Sequence, residues 1–366
     1  VGLTANEGGS EAIAPFVTRA STDQRHQETE EIRLSDSGRV WYSSCSRSQN
    51  KRRTHTSNAR LACRRKHVVA TASSLVGFLP QKSIRRLLHS PIMVATRQDL
   101  LVAAWDGSLD RVQKILERNP NWKDIQDNWG ETPVHRASNA GHLDVVTYLA
   151  NRCQANVNVR NFLGNTPLHV AACKGNWTVC QHLVEHCRAD VKIENKDGWT
   201  PLHWASARGN LEMVHFLAGH GGTHTIDRQD KCGATALFLA VSGGCLDIAR
   251  CLVLSHGADM AQQARRGYTP LHSASWNNHV DLVRFLVVQG AAAADDIIHV
   301  RDNCGRTPLH AASEAGHLEA TRFLLQHGAD VTIRNKKGET PLDVACARGH
   351  HNVICVLLGR FLFGHM

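Results

Sequence analysis

From about Leu100 onward, apolar residues recur at helical spacing in short runs, such as Leu143, Val146 and Leu149, or Leu318, Phe323 and Leu324. Each run defines one face to be buried. Turn formers stand between the runs. Asp127 or Asp302 is followed three residues on by Gly130 or Gly305, a pattern that suits a tight turn with the glycine free to take positive φ. A threonine comes next and then, in all but one unit, a proline. The threonine serves as N-cap, and proline takes the first helical position, where its missing donor costs nothing. This first helix, A, is predicted to end near Gly141, Gly175, Gly209, Gly244, Gly316 or Gly349, the left-handed residue just past a helix. Asn278 fills that place in one unit, the best-tolerated substitute there. A second amphipathic helix, B, follows.

The unit repeats. Thr-Pro stands at 132/133, 166/167, 200/201, 269/270, 307/308 and 340/341, with Thr235-Ala236 filling the gap, and the steps between threonines are 34, 34, 35, 34, 38 and 33 residues. With a core that reads Thr307-Pro308-Leu309-His310, the chain resembles the ankyrin-repeat family from about Gln98 to its end. The resemblance implies an all-α repeat solenoid of stacked helix-turn-helix units with short β-hairpin tips, about eight units over residues 98–366. Neither helix can bury its face alone, so the fold is held by stacking, with polar-faced caps at the ends. Residues 100–117 keep the helix pattern without Thr-Pro-Leu-His, and the last unit has Asp343 where others have histidine, so first and last read as caps.

Some positions depart from the pattern. Gln154 and Arg188 stand where glycine is usual, at a cost of about 1 kcal/mol each in a left-handed conformation. The 38-residue step reflects an insertion around 291–298, whose Ala and Asp content reads as a loop. Phe361, Leu362 and Phe363 are apolar for a tail; either they fold back on the last repeat or they meet another partner or domain.

Charge separates the chain in two. Residues 1–97 hold 16 Lys+Arg and 7 Asp+Glu, and the rest holds 42−16 = 26 basic and 33−7 = 26 acidic, so the whole net charge of +9 lies in the leader. A neutral array offers no general phosphate-neutralising surface. The leader has no sustained period and reads as a disordered basic segment. Its clusters Lys51-Arg52-Arg53 and Arg64-Arg65-Lys66 also fit a nuclear-localisation signal or a nucleic-acid arm. The first methionine is Met93; it is read as the natural start, with residues 1–92 a fragment end or translated upstream sequence. Residues 68–88 contain a short apolar stretch to which no role is assigned.

Twelve cysteines lie scattered with no C-x-x-C, as in a reducing compartment, so cytosol or nucleus is expected. No apolar run reaches the roughly 18 residues needed to span a bilayer, and the sequon at Asn176 falls at the start of a helix. The 23 histidines are mostly explained by period: His135, His169, His203, His272 and His310 share one motif position, and His142, His279, His317 and His350 another. The resemblance makes the first set hydrogen-bonding scaffold residues. Cys180, His182, His186 and Cys187 fall outside the motif; His182 and His186 share a helix face, but no acidic residue sits as in H-E-x-x-H and no second pair is evident. No nucleotide loop, nucleophile elbow, kinase signature or ubiquitin-ligase recruitment box occurs. The reading is therefore no enzyme, no cofactor and no metal.

The resemblance implies partner binding in a concave groove formed by the tips and the exposed side of helix A. Carried over, the candidate residues are Trp129, Phe162, Lys196, Trp199, Arg208, Arg265, Arg266, Tyr268, Trp276, Arg306 and Lys336. The tips also carry Asn128, Glu131, Leu163, Asp197, Lys231 and Lys337. Trp, Tyr and Arg dominate binding hot spots, and the basic tips suggest an acidic or phosphorylated protein segment. Against this, Trp204 and Trp177 read as packing residues. The expected function is a recognition scaffold. The alternatives are a regulatory or targeting subunit of a phosphatase or ubiquitin ligase, and a nucleic-acid-associated factor acting through the leader.

Overall fold

The computed structural model describes residues 95–292 and 296–363. The expectations placed on the leader, including its basic clusters and Met93, lie outside the described residues. Eight antiparallel helix pairs follow one another: α1 (Arg97–Trp105) and α2 (Leu109–Arg118), α3 (Pro133–Ala140) and α4 (Leu143–Thr147), α5 (Pro167–Lys174) and α6 (Trp177–Glu185), α7 (Pro201–Arg208) and α8 (Leu211–Gly221). After a one-turn α9 (Thr223–Ile226) come α10 (Ala236–Ser242) and α11 (Leu246–Arg250), α12 (Pro270–Trp276) and α13 (Val280–Ala292), α14 (Pro308–Ala315) and α15 (Leu318–Gln326), α16 (Pro341–Arg348) and α17 (His351–Phe363). Helices α4 and α11 run on into π turns at Tyr148–Arg152 and Cys251–Ser255.

Each first helix packs on the first helix of the next pair, so the core is one continuous column. Leu100, Val134, Leu168, Leu202, Leu237, Leu271 and Leu309, one from each of the first seven units, are all buried within it. Among the described residues no helix is long and apolar enough to cross a membrane.

The threonine and histidine of each motif do more than cap a helix. In the second pair, the Thr132 backbone N–H and hydroxyl both donate to His135 Nδ1, at 3.2 and 2.9 Å. Because Nδ1 accepts, the ring proton sits on Nε2, which donates to the carbonyl of Asn165 in the next tip at 2.9 Å. The same arrangement joins His169 to Trp199, His203 to Arg228 and Ala234, His272 to Arg306 and His310 to Glu339. At the two ends an aspartate replaces the imidazole. Asp99 accepts from Thr96 at 2.7 Å and Asp343 from Thr340 at 2.8 Å, closing a capping box on the helix alone.

The tips form a second seam. In all but one, an Asp or Asn side chain accepts from the backbone two and four residues on, as Asp127 does from Trp129 and Glu131, at 2.8 and 2.9 Å. Successive tips are then joined by single backbone bonds: Phe162 N–H to the Trp129 carbonyl, Lys196 to Leu163, Lys231 to Asp197, Arg265 to Cys232, Asn303 to Arg266 and Lys336 to Cys304. The tips are turns; among the described residues no strand forms, because each tip closes within about four residues, as Asn161 does on Gly164 and Asn165. Close approach fixes the glycine: a Cβ on Gly164, itself at φ +79°, would meet the Lys196 backbone N at 2.7 Å.

Several local expectations resolve in the same terms. Gln154, Arg188 and Asn278 do take positive φ, at 55°, 57° and 57°. Residues 291 and 292 belong to α13 rather than to a loop, so part of the long step is an extended helix; residues 293–295 lie outside the described residues, and Ile297 beyond them is buried. Residues 361–363 continue α17. The Asn176 amide donates to the Ser138 and Asn139 carbonyls at 2.7 and 3.0 Å, so it is a structural bridge and the sequon carries no weight.

Burial of the motif imidazoles has a pH signature. It pushes His135, His169 and His272 from the usual 6.5 down to about 4 and lowers His203 and His310 as well. The unfolded chain therefore binds more protons, so the stability these groups contribute is complete above about pH 6.5 and is lost as pH falls towards 4. Urea unfolding of the full chain should lose several kcal/mol across that window, since each tenfold weakening of proton affinity is worth about 1.4 kcal/mol. A midpoint unchanged between pH 7 and pH 5 would contradict neutral imidazoles at these joints.

Candidate protein-binding surface

Position within the tip decides which side chains reach solvent. The two residues before the tip glycine point outward: Asn128 and Trp129, Phe162 and Leu163, Lys196 and Asp197, Arg265 and Arg266, and Lys336 and Lys337 are all exposed. The residue just after the glycine turns inward towards the next tip, so Trp199 and Ala234 are buried, while Glu131, Tyr268, Arg306 and Glu339 are half-buried.

This rule divides the predicted residues. Trp129 is 66% exposed, Phe162 57% and Leu163 64%. Trp199, in contrast, is 8% exposed; its indole N–H donates to Asp230 at 2.8 Å and its ring lies 4.6 Å from that of Trp204. The expectation that Trp199 faces a partner is corrected: it follows Gly198 and fills the space under the next tip. Trp204 is half-buried beside it, and Trp177 packs edge-on against Phe216 at 5.1 Å, so both are packing residues as expected.

Arg306 is also corrected as a free cation. Its guanidinium bonds Asp302 at 2.8 Å, Glu314 at 3.0 Å and the Tyr268 hydroxyl at 2.8 Å, and Glu314 in turn accepts from Arg348 at 2.7 Å. The Asp302 side chain is fully buried, so removing Arg306 would strand a charge. Tyr268 is held in this network, half-buried. Trp276 is half-buried at the end of α12, where its carbonyl accepts from His317 at 2.9 Å. Arg208 is exposed, 5.9 Å above the Trp204 ring, with a 3.4 Å contact to Cys173.

The side chains that do reach solvent gather at two places. Over the first three pairs, Arg136 lies between Trp105 and Trp129, 5.7 and 5.5 Å from their ring centroids. It is anchored there by ion pairs to Asp127 and, at 3.0 Å, to Glu131. Burial raises the Asp127 carboxyl, but the Arg136 guanidinium and the tip N–H groups overcome this and hold it below the usual range. Phe162 lies over Gly130, close enough that a Cβ there would meet its ring at 2.7 Å. Trp105, Trp129, Phe162 and Leu163 thus make one apolar patch stiffened by Arg136. Contiguous patches of this kind mark interaction sites, unlike scattered apolar residues. Trp105 was not found from the sequence because it belongs to a cap that lacks the motif. The second place is the row of exposed cations Lys196, Lys231, Arg265, Arg266 and Lys336 along the later tips.

One tip is built differently. Ala264 stands where other tips have Asp or Asn, so no side chain accepts the following N–H groups; the tip tightens into a 3₁₀ turn and Arg266 takes φ 70°. This strained, exposed arginine sits within the cation row.

The four earlier metal candidates do not converge. Cys180 is buried in the core, where burial pushes its thiol up. His182 and His186 stack on each other at 5.0 Å, and His182 contacts the Thr147 hydroxyl at 3.2 Å.

Exposure predicts the energetics. Trp129→Ala and Phe162→Ala should each change the unfolding free energy by no more than about 0.5 kcal/mol, whereas Trp199→Ala should cost about 3 kcal/mol or more. Urea denaturation of the three variants checks this; a large loss in Trp129→Ala would make that residue structural.

Comparison with known proteins agrees with this architecture. The family model described as Ankyrin repeats (3 copies) matches residues 100–195, 153–230, 172–264, 223–295 and 292–362. An espin-like protein of Homo sapiens is 41% identical over 64 residues, 18% of this chain and 6% of that protein. Protein phosphatase 1 regulatory subunit 27 of Mus musculus is 39% identical over 75 residues, 20% of this chain and 48% of that protein. Alpha-latrocrustotoxin-Lt1a of Latrodectus tredecimguttatus is 39% identical over 59 residues, 16% of this chain and 4% of the toxin. Each match thus spans less than half of the relative's length. With the family model covering most of its length and eight stacked helix pairs, five of them carrying the threonine–histidine joint, this chain belongs to the ankyrin-repeat family.

Proposed function

We propose that the protein is a non-enzymatic recognition scaffold that binds a protein segment along the tip side of the array. The observation that carries this reading is the apolar patch of Trp105, Trp129, Phe162 and Leu163, stiffened by Arg136 and followed along the array by exposed cations. Large rigid aromatics bury much area at low entropic cost, and the cations favour an acidic or phosphorylated stretch in the same partner. Arg306 and Tyr268 act behind the surface, and the binding set is Trp129, Phe162, Lys196, Arg208, Arg265, Arg266 and Lys336, with Trp276 at its edge. A cytosolic or nuclear location is in keeping with the free thiols of ten cysteines among the described residues.

Similarity to a phosphatase 1 regulatory subunit favours a second reading, in which the array brings an enzyme to its substrate. The segment bound would then belong either to the enzyme or to its target.

Pull-downs with the full chain, with Trp129→Ala/Phe162→Ala/Leu163→Ala and with Lys196→Glu/Arg265→Glu/Arg266→Glu/Lys336→Glu separate these contributions. A partner lost from both variants and weakened by salt supports the proposal, and co-retention of a phosphatase catalytic subunit supports the second reading. Partners kept by both folded variants would move the site off the tips.

A further inference from the structure

A separate feature lies on the second helices, away from the tip residues. In the fourth and seventh pairs, a phenylalanine on helix B stacks against a histidine four residues on: Phe216 on His220 at 4.2 Å and Phe323 on His327 at 4.0 Å. The fifth pair differs in two ways. Cys251 replaces the ring, and one extra residue separates it from His256, taken up by the π turn at Cys251–Ser255. Such π turns are frequent at functional sites. With no ring to cover it, His256 faces His215 of α8 in the preceding pair, their centroids 5.3 Å apart.

The three side chains converge. His215 Nδ1 lies 3.3 Å from His256 Nε2 and 3.6 Å from Cys251 Sγ, and all three atoms fall within 4.8 Å of one another. Tetrahedral zinc with nitrogen and thiolate ligands at about 2.0 and 2.3 Å requires edges of about 3.3 Å for N···N and 3.6 Å for N···S. Two edges already have these lengths, and the third is no longer than 4.8 Å. His215 is exposed and the others half-buried, beside an open groove of about 510 Å³ that Glu212 and Asp247 also line. Glu212 is one turn before His215 and Asp247 one turn before Cys251, so each carboxylate flanks a ligand.

We propose that His215, Cys251 and His256 bind one zinc ion that bridges the fourth and fifth repeats, with water or one of the two flanking carboxylates in the fourth position. This ligand set suits zinc rather than magnesium or calcium, because thiolate and imidazole are softer than the oxygen ligands those cations take. Binding forms a zinc–sulfur bond and releases the Cys251 thiol proton to solvent. Because binding displaces the thiol proton, affinity should rise with pH.

Titration of the reduced, chelator-treated full chain with Co²⁺ tests this directly. One equivalent should give tetrahedral bands with a thiolate charge-transfer band, and Zn²⁺ should displace it. Cys251→Ser should abolish the charge-transfer band, and His215→Ala should weaken Co²⁺ at least about tenfold, since loss of an outer partner alone costs that much. His182→Ala/His186→Ala, which alters another histidine pair, should leave both unchanged. Circular dichroism confirms that each variant is folded; His215 is exposed, so its replacement removes no core contact. If the wild type gives no band, or the band survives Cys251→Ser at full strength, the proposal fails and any binding belongs to the other eleven of the twelve cysteines.

Discussion

A buried imidazole with one nitrogen accepting and the other donating is the joint on which the array depends. Threonine supplies two donors to Nδ1, which forces the proton to Nε2, and Nε2 then has one acceptor in reach, a carbonyl of the next repeat. Each histidine thus satisfies a helix terminus and ties two repeats with the same ring. It works only while neutral, because a proton on Nδ1 would face two donors in a buried site. The end units confirm the logic by exception. At Thr96 and Thr340 an aspartate takes the place of the imidazole; it accepts from the threonine but has nothing to donate, so these two units make no such joint to a following carbonyl.

The tips add a backbone seam whose geometry fixes what the surface can display. Because each tip donates one N–H to the carbonyl of the preceding tip, successive tips stay in register and glycine is held at positive φ by the backbone beside it. In most tips two residues are then turned out and one turned in; before Gly233 only Lys231 is exposed, and Cys232 is half-buried. A surface built this way is preorganised: its side chains sit on a frame that is already paired, so binding need not order the backbone. Where the Asx acceptor is missing, at Ala264, the frame tightens and Arg266 takes up the strain.

The period, the threonine caps and the left-handed glycines could be read directly, since each is a local requirement written in one or two residue types. Exposure could not be read so easily. Trp129 and Trp199 look alike in the sequence, both aromatic and both beside a tip glycine, yet one precedes its glycine and the other follows it, and that single step turns a ring from solvent to core. Arg306 was misleading for a different reason: its charge is matched by Asp302 four residues back but also by Glu314 and Tyr268, which only the fold brings together. The His215, Cys251 and His256 cluster was hidden because it spans two repeats and depends on one extra residue in a π turn, which periodicity alone treats as noise.

Departures from the motif gather in the fifth repeat, and they answer one another. Phe238 stands where the other internal repeats have histidine, so the polar joint to the sixth repeat is absent and Thr235 caps its helix alone. Phe238 instead packs with Trp199, Ala234 and Leu239, together with Trp204, so apolar contact to the fourth repeat stands in for a hydrogen bond to the sixth. The junction onward rests on weaker links: the Ser242–Ser273 hydroxyl contact at 2.8 Å, the Gln229 amide on the Gln263 carbonyl at 2.9 Å and the tip bond from Arg265 to Cys232. In a linear array, stability is set by nearest-neighbour interfaces, and this repeat lacks the imidazole joint forward that it receives from His203 behind. A zinc ion held between His215 and the Cys251–His256 pair would strengthen the same backward interface from the opposite helices, where the fifth repeat's motif departures gather.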